Sequence, residues 1–194
     1  MRGAVLHAPR DVRLEVRDDP TIVEPTDAII RLSATCVCGS DLWPYRGIEP
    51  VQGPAPMGHE YVGIVEEVGN AVGTIKPGQF VIGSFWASDN TCEICQSGYQ
   101  SSCIHRELMG TIGTQAELAR VPLADGTLVA TPELPPEDLI PSFLAASDVL
   151  APAGSVPSPP RPAPARPLPW SVMGQSACSP WWPRGTSARN GLSP

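Results

Sequence analysis

Up to Pro132 the apolar residues of this 194-residue chain come in short runs that alternate with polar residues and stop at glycine or proline. Such runs suit strands, because alternate side chains of a strand face opposite sides and Gly and Pro supply the turns between them. Arg2 to Val16 reads as a β-hairpin turning at Pro9-Arg10-Asp11, and Asp27 to Cys36 as a further strand. Ser40 to Arg46 reads as a short helix or turn, capped by Asp41 and limited by Pro44. From Val62 to Val81 the pattern gives β pieces broken by Gly63, Gly69, Gly73 and the turn Lys76-Pro77-Gly78-Gln79. Gln115 to Pro132 gives two strands joined at Asp125-Gly126. Helical spacing is confined to Glu137–Leu150, through Leu139, Ile140, Phe143, Leu144 and Val149. The expected class is mainly β with a few short helices, as a barrel or sandwich.

The composition breaks near Leu150. Residues 151–194 hold 11 of the 24 prolines and four arginines but no Lys, Asp, Glu or His, so residues 1–150 carry −11 of a net charge of −7. A folded domain over 1–150 and a disordered Pro/Ser/Arg-rich tail over 151–194 are therefore expected. The acidic balance argues against nucleic acid or an anionic membrane surface as partner, since few groups would neutralise phosphates. A small neutral or cationic ligand fits better. No run reaches the ~20 apolar residues of a membrane span, and the first residues lack a signal-peptide pattern, so a cytoplasmic protein is expected. Six cysteines in a reducing compartment point to metal or chemistry before disulfides.

Cys38-Gly39-Ser40-Asp41 and Gly58-His59-Glu60 place a thiolate and an imidazole beside carboxylates, the ligand types of a zinc site that only the fold can close. With Cys36 only two positions away, a wrong thiol could be mistaken for the ligand. On these motifs and the cysteine cluster described next, residues 1–150 resemble the GroES-like catalytic domain of the zinc-dependent medium-chain alcohol dehydrogenases. The resemblance implies a partly open β-barrel and a catalytic zinc held by Cys38 and His59. It suggests Asp148 as third ligand, in Ala146-Ser147-Asp148-Val149. Glu60 would then stand beside the metal, Asp41 would orient His59, and Ser40 resembles the hydroxyl that takes the alcohol proton. Trp43 stands where many members carry a relay His. Trp43, Phe85 and Trp86 are candidates for lining the substrate pocket.

Asp89-x2-Cys92-x2-Cys95-x7-Cys103 resembles the family's structural zinc loop, with Asp in place of the usual first Cys. Close spacing lets successive ligands wrap one ion, and carboxylate is an acceptable zinc ligand. A Cys92/Cys95 redox pair and an empty loop are the other readings, and His105 could compete as a ligand.

The family transfers hydride between a small-molecule alcohol or aldehyde and NAD or NADP bound by a Rossmann domain, often as a homo-oligomer. No G-x-G-x-x-G follows a strand here, and Gly69–Gly78 and Gly110–Gly113 read as turns, so no nicotinamide site is expected in this chain. Reading each codon's last base with the first two of the next permits such a fingerprint over Trp170–Cys178, and Met173-Gly174 forces one of its glycines. Residues after about Leu150 are accordingly expected to be an out-of-frame product. The expected protein is a zinc-dependent alcohol dehydrogenase fragment with little activity alone. The alternative is a non-catalytic zinc-binding β module or a non-functional truncated product.

Overall fold

The computed structural model describes residues 1–148. The tail over 151–194, and the last two residues of the expected helix, lie outside them.

The ten strands are β1 (Arg2–Ala8), β2 (Asp11–Val16), β3 (Ala28–Thr35), β4 (Ala55–Pro56), β5 (Tyr61–Val68), β6 (Phe80–Gly83), β7 (Trp86–Ala87), β8 (Glu107–Leu108), β9 (Leu118–Val121) and β10 (Leu128–Ala130). Among the described residues four short α-helices accompany them: α1 (Leu42–Tyr45), α2 (Glu93–Gln96), α3 (Ala124–Thr127) and α4 (Ile140–Ala145). Among the described residues no helix is long and apolar enough to cross a membrane.

The opening hairpin forms as its alternation predicts, from Arg2 opposite Val16 to Ala8 opposite Asp11. A three-stranded antiparallel sheet, β2-β1-β4, and a five-stranded antiparallel sheet, β10-β6-β5-β3-β9, make the body. Residues 115–117 stitch the two sheets together. Ala4 N–H donates to the Gln115 carbonyl at 2.8 Å, Glu117 N–H to that of Arg2 at 3.0 Å, and Leu32 N–H to that of Glu117 at 3.0 Å. The edges β2 and β10 do not meet, so the barrel stays partly open.

Inside it Ile30, Tyr61, Val65, Val81, Met109 and Val121 are fully buried. Burying an apolar side chain of this size contributes about 1.5–3 kcal/mol. Gly83 has no side chain because the Tyr61 ring fills its place: a Cβ there would lie 2.1 Å from the ring. On the opposite face Val62 and Phe80 pack under Leu144, Ile140 and Phe143 of α4.

The β3–β5 ladder slips register between Leu32 and Ala34. Side chains of one parity face one side of a regular strand, and a bulge reverses them. Ile30 and Leu32 accordingly face the inner core, whereas Ala34 and Cys36 face the outer cluster below α4.

Three expectations need correction. The helix expected over Glu137–Leu150 is a 3-10 turn at Glu137–Leu139 followed by the short α4, because Pro141 at its start permits only a late beginning. Residues 72–75, expected as a β piece, form no strand, whereas the turn at 76–79 forms as expected and leads into Phe80–Gly83. Asp41 does not cap α1; its carboxylate turns back toward Cys38 and His59.

Candidate metal centres

Cys38 leaves the end of β3 at a 3-10 turn, Gly39–Asp41, where its N–H donates to Asp41 Oδ2 at 2.9 Å. His59 and Glu60 enter β5. Their approach is fixed by Thr114 N–H on the Gly58 carbonyl at 3.0 Å, Gln115 N–H on that of Met57 at 2.9 Å, and the Thr35 hydroxyl on that of Glu60 at 2.9 Å. Gly58 has φ +92°, and a Cβ there would sit 2.6 Å from the Gln115 nitrogen, so only glycine fits. Asp148 follows α4 and is pinned by its neighbour: buried Ser147 accepts the Tyr61 N–H at 3.0 Å.

The fold thus brings four of the expected residues together from three segments. One donor atom each of Cys38, His59, Glu60 and Asp148 lies within 4.8 Å of every other. His59 Nε2 is 3.4 Å from Asp148 Oδ2 and 3.9 Å from Glu60 Oε1, and Cys38 Sγ is 3.7 Å from Asp148 Oδ2. Nδ1 of the same ring faces Asp41 Oδ1 at 3.3 Å, which leaves Nε2 for the cluster. The Asp41 contact raises the His59 pKa to about 9, outweighing burial. Burial, together with the negative charge of Glu60, raises that of Asp148.

A divalent cation fits these residues. Glu60 is 3 % exposed, and its Oε1 has no hydrogen-bond partner. Unpaired buried carboxylate oxygens are costly, and a cation shared with Asp148 and the Cys38 thiolate relieves both that cost and the crowding of negative charge. Cys36 is not in this cluster. Its thiol donates to the other Glu60 oxygen, Oε2, and burial pushes its pKa up to about 12, with Glu60 adding to the shift. Cys36 and Cys38 do not share a strand face, since β3 ends at Thr35.

Cys38, His59 and Asp148 of this cluster line a cleft of about 580 Å³, together with Asp41, Glu49 and the apolar Leu6, Val51, Met57, Phe85, Trp86 and Leu108, while Glu60 lies behind them. Ser40 opens onto it, its hydroxyl 3.4 Å from His59 Nε2, and is exposed to solvent. Trp43 does not line the cleft. It is 55 % exposed on α1, so of the three expected aromatic residues only Phe85 and Trp86 reach it.

The second cluster lies in the segment between β7 and β8. Donor atoms of Asp89, Cys92, Cys95 and Cys103 are all within 4.8 Å of one another. Cys92 and Cys103 sulfurs stand 3.9 Å apart, far beyond the ~2.05 Å of a disulfide, and all three thiols are free. Burial, with hydrogen bonds to Cys92 and Cys103, pushes the Cys95 thiol up to about 12. Asp89 Oδ1 accepts from Thr91 N–H at 2.9 Å and Cys92 N–H at 3.1 Å and lies 3.4 Å from Cys103 Sγ. His105 meets Asp89 Oδ2 at 2.6 Å, which holds the carboxyl far below its usual range, and is not among the four clustered donors. The segment is anchored to the barrel where Ser88 donates to the Gly126 carbonyl at 3.0 Å.

Two supporting residues escaped sequence reasoning. Gln115 donates to Asp41 Oδ2 at 3.3 Å and to the Cys36 carbonyl at 3.2 Å across 74 and 79 positions of sequence. Ser147 aligns the end of α4. Neither belongs to a motif, so no local signal marks them.

Comparison with known proteins gives the family of the chain. Residues 24–133 match the alcohol dehydrogenase GroES-like domain. Over 136 residues the chain is 41 % identical to zinc-type alcohol dehydrogenase B of Aspergillus flavus, covering 69 % of this chain and 32 % of that protein. It is 40 % identical over 136 residues to a medium-chain reductase/dehydrogenase of an Acremonium species, covering 68 % and 47 %. The solved alcohol dehydrogenase TADH from Thermus sp. ATN1 superposes with a TM-score of 0.71 at 33 % identity, over 79 % of this chain and 46 % of the other. The chain therefore spans between a third and a half of the length of these relatives.

Proposed function

Because the chain belongs to the family of alcohol dehydrogenase GroES-like domains, we propose that residues 1–150 are the zinc-binding catalytic domain of a zinc-dependent alcohol dehydrogenase. The parent reaction is oxidation of an alcohol to an aldehyde or ketone, with NAD or NADP as hydride acceptor. No residue among 1–148 is assigned to the nicotinamide.

In this reading Cys38, His59 and Asp148 hold the catalytic zinc, with Glu60 beside it, and Asp89, Cys92, Cys95 and Cys103 hold a structural zinc. When bound, the catalytic zinc supplies a Lewis acid that lowers the pKa of an alcohol hydroxyl. The protein residues do the rest. Asp41 holds His59 so that Nε2 faces the cluster. Phe85 and Trp86 hold the carbon skeleton against the floor of the cleft and exclude water from that side. Ser40 Oγ takes the hydroxyl proton and, being exposed, hands it directly to solvent, which removes the need for a relay side chain where Trp43 stands. Among the described residues the cleft lining carries Glu49 and Asp41 and no Lys or Arg, which favours neutral or cationic alcohols over phosphorylated ones.

The observation that carries this reading is the convergence of a thiol, an imidazole and two carboxylates, with Cys38, His59 and Asp148 of the four opening onto a cleft that Phe85 and Trp86 also line. Cobalt substitution tests it. In the cobalt-loaded chain the visible absorption bands should shift on adding a saturating short-chain alcohol, and Cys38→Ser should abolish the response. Bands indifferent to alcohol would mean a closed site and a non-catalytic zinc-binding module.

A further inference from the structure

Asp89 stands out among the four donors of the cysteine-rich segment. It offers the one oxygen beside three sulfurs, and a carboxylate differs from a thiolate in having two donor atoms. The Thr91 and Cys92 N–H groups hold Oδ1, so what occupies Oδ2 decides whether one oxygen or both can reach an ion. Here Oδ1 is turned inward, 3.4 Å from Cys103 Sγ, and Oδ2 is taken by the His105 ring at 2.6 Å. His105 also touches the segment through its backbone, where its N–H points at Cys103 Sγ at 3.4 Å. Its side chain is 62 % exposed and contributes no donor atom to the cluster.

We propose that His105 is a positioning residue for the metal of this segment: it occupies Asp89 Oδ2, so that Asp89 presents a single, oriented oxygen to a divalent ion shared with Cys92, Cys95 and Cys103. The proposal rests on the structural-zinc reading above. Chemically, a carboxylate whose outer oxygen is left unheld offers a metal one oxygen or both, at the cost of ordering it on binding. A ring nitrogen on the outer oxygen meets that cost in advance and fixes one-oxygen coordination, which suits a four-coordinate ion flanked by large sulfurs. His105 thereby compensates for the replacement of a fourth thiol by Asp89. It does so from outside the ligand set, in place of competing for the ion.

Zinc affinity of the intact chain, measured by competition with a colorimetric chelator, tests this. The release step belonging to the segment is the one that Cys92→Ser abolishes. His105→Ala should weaken that step by roughly 10- to 100-fold, the usual effect of removing a hydrogen-bond partner from a metal ligand. His105→Gln, which keeps a donor for Oδ2, should recover part of the loss. In an Asp89→Cys background the same His105→Ala change should do nothing, because there is no second oxygen to hold. Equal sensitivity to His105→Ala in both backgrounds, or none in either, would overturn the proposal. A wild-type chain with no release step sensitive to Cys92→Ser would overturn the zinc reading of the segment and this inference together. Exposure of the ring makes the substitution compatible with folding, which circular dichroism of each variant verifies.

Discussion

At the scale of single residues, the most demanding position is Asp41. Its carboxylate accepts the Cys38 N–H and the Gln115 amide, and it faces the His59 ring. Asp41→Asn would weaken its ties to both proposed ligands, and zinc affinity at the Cys38 centre should fall roughly 10- to 100-fold in the same chelator assay while secondary structure is kept. Cys38, Asp41 and His59 were legible because each sits in a short motif whose chemistry is local. The state of Glu60 was not. Its pairing with Cys36 and its free Oε1 depend on the bulge between Leu32 and Ala34, which no residue-type pattern marks. Trp43 misled for a related reason: its neighbours in sequence are site residues, but the α1 turn sends its ring outward.

At the scale of elements, one fastening holds a centre and another holds the barrel's loops. Ser147 ties the end of α4 to β5 by accepting the Tyr61 N–H, and both groups are buried. Ser147→Ala strands that N–H, so urea unfolding should show a loss of about 1–3 kcal/mol, with weaker zinc retention because Asp148 follows directly. Asp125 performs a similar service for residues 73–75 by accepting the backbone N–H groups of Gly73 and Thr74, each at 2.8 Å. Burial alone would raise its pKa, yet these donors hold it below the ordinary 3.8. A depressed carboxylate pKa gives stability that is present above the unfolded value and lost as pH falls through the folded one. Asp125→Ala should therefore lower the melting temperature at pH 7, with the gap from wild type closing below pH ~4. The strands themselves were legible from alternation between Gly and Pro. The length of α4 was not, because helical spacing continues through Glu137–Leu139, where Pro136 and Pro141 allow only a 3-10 turn before the helix.

At the scale of the whole molecule, the barrel acts as a frame that carries two independent donor clusters. One is assembled from β3, β5 and the end of α4; the other is contained in the segment between β7 and β8 and touches the barrel through Ser88 and Gly126. Thiol and carboxylate donors, joined by an imidazole in the first cluster, suit zinc, and the separate anchoring of the two clusters means that each should fill or empty without the other. The central claim is then a stoichiometry. Elemental analysis of the purified chain, after removal of loosely bound metal, should give two zinc ions per chain, falling to one in Cys38→Ser/His59→Ala and to one in Cys92→Ser. A wild-type chain that retains no zinc, or a zinc content unchanged by either substitution, would contradict it.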